Sequence, residues 1–146
     1  MIEFNEPTNI YDKNGSHLAI LIPGSYSPTK IEFITKPDNL FQIGLMKRSS
    51  ESPAPAHHHN KIARNILGTQ EFLLVKQGDM FVKLLEPSGN IIEEFNLSSG
   101  DAILLISGGH EITFSDDCII LEIKQGPYTQ EEDKSQIPSL LRSGKN

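Results

Sequence analysis

The chain has 146 residues, a length suited to one hydrophobic core that needs no staples. Apolar residues make up 37% and charged residues 22%, the balance of a globular chain and not of a disordered one. The net charge of −6 argues against a general nucleic-acid partner or an anionic membrane surface, since both want a basic protein face.

Cys118 is the single cysteine, so no internal disulfide can form, which suits a cytoplasmic location. Residues 1–15 show no basic stretch followed by an apolar one, so a secretory leader is not expected. The apolar runs at 19–22 and 102–106 are far too short to span a bilayer.

Taken in order, the chain reads as many short strands, at 17–22, 30–35, 41–48, 71–76, 80–85, 91–96, 102–106, 111–114 and 119–124. Stretches rich in Gly, Pro, Asn, Asp and Ser separate them: PGSYSPT, KPDN, SSESPAPA, QGD, EPSGN, SSGD, SGG and SDD. The segment 1–29 supplies N-terminal strand material that packs on its own sheet or on a partner's edge. Phe95 and Leu97 alternate with Asn96 and Ser98, and Gly100-Asp101 then turns the chain. The run Ala102-Ile103-Leu104-Leu105-Ile106 is apolar throughout, as suits a strand covered on both faces. Only residues 130–142 suggest a helix, within a charged C-terminal extension. The class is therefore all-β: a sandwich, a jelly roll or a barrel.

Three histidines stand together at His57, His58 and His59, and His110 follows a Gly-Gly turn. Side chains two apart on a strand share a face, so His57 and His59 would point one way and His58 the other. Paired imidazoles suit zinc, copper, iron or nickel. Glu71 opens an otherwise apolar strand and shares a face with Leu73 and Val75. A carboxylate at the end of a core-facing row is costly unless paired or metal-bound. By the same alternation His110 faces inward with Ile112 and Phe114. Cys118 fits a small buried hydrophobe at a strand start.

The order of these residues resembles the cupin superfamily. Its first motif has two histidines one residue apart, then a glutamate, six residues and a glycine. Here His57-His58-His59 supplies the pair, and Glu71 is followed by FLLVKQ and Gly78. The second motif runs from a glycine through a short apolar strand to a histidine, as from Gly100 to His110. Ile106 and Ser107 stand where the family has its usual proline. The histidine pair is also further from the glutamate than in the family, with NKIARNILGTQ between His59 and Glu71, so His58 is an alternative to either neighbour.

The resemblance covers most of the chain, about residues 30–128, and implies a cupin-type double-stranded β-helix, a jelly-roll barrel. It implies one divalent metal ion (Fe, Mn, Ni or Zn) held by His57, His59, Glu71 and His110. A small-molecule ligand would bind in the barrel, and the chain would form a homodimer. Isomerisation, epimerisation or oxygenation of a carbohydrate, nucleotide sugar or keto acid is the implied enzymatic range. A non-catalytic binding or sensing cupin and a metal-free sugar epimerase are the alternatives. Glu122 and Lys124 share a strand face that turns either to solvent or to the ligand. With Arg64, Tyr128 and Gln42 they are candidates for orienting substrate or moving a proton, and Arg64 suits a carboxylate or phosphate clamp.

Overall fold

The computed structural model describes residues 3–127, 129 and 133–137. Every regular element among them is a β-strand. The strands are β1 (Thr8–Tyr11), β2 (His17–Ile22), β3 (Ile31–Phe33), β4 (Gly44–Met46), β5 (Glu71–Gln77), β6 (Asp79–Leu85), β7 (Ile91–Ser98), β8 (Ala102–Leu105), β9 (Gly109–Phe114) and β10 (Ile119–Lys124). No helix among the described residues is long and apolar enough to cross a membrane.

The chain forms two compact units, one from Met1–Tyr26 with Thr69–Asn146 and one from Ser27–Gly68. In the first, a five-stranded antiparallel sheet has the order β1-β2-β8-β5-β10, and a three-stranded sheet has the order β7-β6-β9. Their inner faces meet in one core. Ala19, Leu21, Leu73, Val75, Ile103 and Leu105 come from the larger sheet. Met80, Val82, Leu84, Phe95 and Leu97 come from the smaller one. This alternation gives each strand one core face, as a sandwich requires.

β8 is buried on both faces, as its unbroken apolar sequence predicts. The expected closed barrel is not present among the described residues. No ladder joins the two sheets to each other, so they stack by side-chain packing and are not hydrogen-bonded around a circumference. β1 is an edge strand on its own sheet, paired with β2.

Two close approaches fix the register of the first unit. Gly78 ends β5 with φ +77°, a left-handed turn that glycine adopts without strain. Gly24 lies so near the β7–β8 turn that a Cβ there would stand 2.5 Å from the Gly100 carbonyl carbon. Asp101 ties this contact together: its Oδ1 accepts from Gly24 N at 2.8 Å and its Oδ2 from Ser98 N at 2.9 Å.

The second unit holds the β3–β4 hairpin, with Ile31 opposite Met46 and Phe33 opposite Gly44. Its loop is closed by Gln42, whose Nε2 donates to the carbonyls of Lys36, Asn39 and Pro37 at 2.9, 3.1 and 3.3 Å. The strand expected over 41–48 is therefore only three residues long, and Gln42 acts as a loop brace. No strand or helix is described over 47–68, so the histidine run and Arg64 do not lie on the hairpin that alternation presupposed. The helix expected over 130–142 is absent from its described part, 133–137, and the rest lies outside the described residues.

Candidate functional site

Glu71 begins β5 on the inner face, in the row it forms with Leu73 and Val75. It is 7% exposed, so its carboxylate needs partners inside the fold. Register supplies the first. Lys124 is the cross-strand partner of Glu71 on β10, and its Nζ is 3.7 Å from Glu71 Oε1. Directly opposed residues of an antiparallel pair share a face, so Lys124 points inward too. Glu122, opposite Leu73, lies on that face as well, with its Oε1 3.3 Å from Lys124 Nζ. The inward side of β10 is thus Ile120, Glu122 and Lys124, while Leu121 and Ile123 face away and are half-exposed.

The opposite sheet supplies the second partner. His110 pairs with the buried Leu84 on β6 and shares a face with Ile112, which packs on the core. Its Nε2 is 3.4 Å from Glu71 Oε2. The His110 side chain is 32% exposed, and its partial burial lowers the ring's pKa from the usual histidine value. The Glu71 charge opposes that shift, Lys134 adds to it, and Glu122 opposes it. The neutral imidazole that results can accept a proton or donate a lone pair to a metal.

Two residues that sequence reasoning passed over complete the arrangement. Lys134 reaches Glu71 Oε1 at 3.8 Å. It sits in the run EEDKS, whose charge density reads as a solvated tail. Gln125 accepts from Gln70 N through its Oε1 at 2.7 Å, a clamp beside the Glu71–Lys124 pair.

His57, His58, His59 and Arg64 belong to the second unit, and all four are exposed there. The His57 and His59 rings meet edge to face with centroids 5.3 Å apart, and His57 Nδ1 is 2.8 Å from Pro55 O. Arg64 Nη1 donates to Ile62 O at 3.5 Å. Tyr128 lies outside the described residues. Cys118 is half-buried beside the Asp117 turn and belongs to no such group.

Within each unit, among the described residues, no three His, Cys, Asp or Glu side chains converge on one point. Glu71 and His110 are two. Ligand atoms about 2.1 Å from one ion and at right angles to each other stand about 3 Å apart, so their 3.4 Å separation fits two neighbouring coordination positions. His110 stands on the Oε2 side of Glu71 and the two ammonium groups on its Oε1 side.

No family model, no curated protein and no solved structure matches this chain.

Proposed function

We propose that this chain is a cupin-like jelly-roll domain that holds one divalent metal ion (iron, manganese, nickel or zinc) and acts as an enzyme on a small polar molecule. One observation carries the reading: Glu71 and His110, from different sheets, converge at 3.4 Å on the inner face. In the cupin pattern the remaining ligands would be His57 and His59, with His58 the alternative to either. Three imidazoles and one carboxylate suit these metals. When bound, the ion supplies a Lewis acid with open positions for water or substrate.

The chain's own residues do the remaining work. Lys124 orients a polar group of the ligand from β10. Glu122, next along the same face, takes or returns a proton at the ligand; Arg64 and Tyr128 are the resemblance's other candidates for that role. Isomerisation, epimerisation or oxygenation of a carbohydrate or keto acid fits that set. A cytoplasmic homodimer belongs to the same reading.

A second reading, a metal-free acid–base enzyme, has one observation in its favour. Lys124 and Lys134 already stand on Glu71 Oε1, so the buried carboxylate is compensated without an ion.

Elemental analysis of untagged protein separates the two, with wild type beside Glu71→Ala, His110→Ala and the His57→Ala/His59→Ala pair. About one metal per chain, lost in the variants while their circular dichroism is retained, supports the metal reading. An empty wild type after exposure to all four metals overturns it.

A further inference from the structure

β10 is an edge of the five-stranded sheet among the described residues, and its outer side is apolar. Cross-strand pairing makes that side continuous. Ile22, Ala102, Leu74 and Leu121 form one rung across β2, β8, β5 and β10. Ile20, Leu104, Phe72 and Ile123 form the next. The rungs are buried at β2 and β8, partly covered at β5 and open at β10, where Leu121 is 44% and Ile123 49% exposed. A sheet with one solvated side alternates apolar and polar residues, whereas this one is apolar on both sides up to its bare edge.

The charges on the inner side of β10 name what covers that edge. Glu122 and Lys124 have opposite charge and stand two residues apart, with Ile123 between them. Directly opposed residues of an antiparallel ladder share a face, and like charges there are unfavourable. When β10 pairs with a second β10 about a two-fold axis through Ile123, each Glu122 meets the partner's Lys124. An axis at Glu122 or at Lys124 opposes like charges instead, and one at Leu121 sets Glu122 against the partner's Ile120. A two-fold contact must complement itself, and of these registers the one through Ile123 does so. The other edges offer no such match. β7 carries Glu93 and Glu94 without a cation, the one carboxylate of β9 is Glu111, already on Lys83, and β1 has four residues and a register shift.

We infer that two copies of this chain join edge to edge through β10, antiparallel about Ile123, so that their five-stranded sheets become continuous. Each copy then sets its Glu122 beside the Lys124 that the other copy aims at its own Glu71, so a carboxylate of the partner borders each candidate site. The same two charges exclude other strands, since an apolar edge would bury them unpaired. The homodimer belongs to the proposed function; its surface stands on β10 alone and needs no ion.

The test uses the full chain. Sedimentation equilibrium of wild type gives a dimer. Ile123→Lys, which brings two ammonium groups together at the axis, gives a monomer with its circular dichroism unchanged. Glu122→Lys raises the dimer dissociation constant about tenfold or more, as like charges oppose. In a Cys118→Ser background with oxidised glutathione, Ile123→Cys links two chains, since directly opposed Cα atoms about 4.5–5.5 Å apart fit a disulfide. Ile119→Cys does not, because its two copies lie roughly 26 Å apart at about 3.3 Å per residue. Should Ile123→Lys unfold, the crosslink decides alone. Monomeric wild type overturns the surface and the homodimer together. A dimer that survives Ile123→Lys, or that forms no link through Ile123→Cys, overturns the surface and leaves the homodimer. Metal content of the same samples reports on the ion separately, and a metal-free dimer with both β10 signatures keeps this inference while the metal reading falls.

Discussion

Lys124 stands directly across the β5–β10 ladder from Glu71, and their charged ends are 3.7 Å apart on the inner face of the sheet. Each side chain is mostly removed from water, so each depends on the other more than a surface pair would. Lys124→Met removes the cross-strand ammonium from the Glu71 carboxylate and lowers stability by about 1–3 kcal/mol. Glu71→Gln costs a similar amount. In the double variant the losses do not add, and the cycle returns a coupling of about 1 kcal/mol by urea unfolding.

The pH dependence of stability follows from His110. Burial lowers its pKa in the folded chain. Above about pH 6.5 the ring is neutral in both states and contributes no pH dependence. As pH falls below that value the unfolded chain takes up a proton that the folded chain resists. Unfolding free energy therefore decreases with falling pH, until the folded ring also protonates. Urea midpoints of metal-stripped protein between about pH 7.5 and pH 5 show this fall, and His110→Asn flattens the curve across the same window. An identical slope in the variant refutes the assignment.

Gly24→Ala tests the close approach to the β7–β8 turn. The added Cβ meets backbone at 2.5 Å, and a backbone carbonyl cannot swing aside as a flexible side chain does. A loss of about 2–3 kcal/mol is expected. Gly15→Ala is the control in open space, where only the strain of its φ of +83° is added. Thermal denaturation ranks Gly24→Ala below it.

Phe95→Ala removes the largest fully buried side chain among the described residues, on the inner face of β7. A cost of about 3–5 kcal/mol is expected from lost transfer energy and the cavity. Phe33→Ala, on a side chain 61% exposed, changes stability by less than about 0.5 kcal/mol, which chemical denaturation resolves from the core effect.

Strand alternation made part of this arrangement legible before any coordinates. The apolar row behind Glu71 implies an inward face, and Glu71 is buried in that row; His110 reaches Glu71 but keeps an exposed ring edge, and Phe114 on the same side of β9 is 57% exposed. The ends of β2 and β10 agree with the sequence because Gly, Pro and Asp bound those runs closely. β1 escaped notice, since Thr8–Tyr11 has one buried residue in four and no period to detect. Sequence also left the facing of Glu122 and Lys124 open, because both sides of that strand carry plausible residues. Only the pairing of Lys124 with Glu71 decides it. The shared face expected of His57 and His59 has no strand under it: spacing of two predicts a common face only where a strand exists, and none is described over 47–68. Lys134 was invisible because a lysine in an acidic run carries no mark of the carboxylate it meets.

The pairing of β2 with β8 has a further consequence, for synthesis on the ribosome. Leu18–Ile22 are five consecutive buried residues, and the strand that covers their free edge emerges about 80 residues later. At roughly 5–20 residues per second the nascent β1–β2 hairpin waits several seconds with an apolar edge bare. Newly made chain is most prone to sticking during that interval. Slowing translation between residues 23 and 101 should lower soluble yield, and the same delay placed after residue 105 should not.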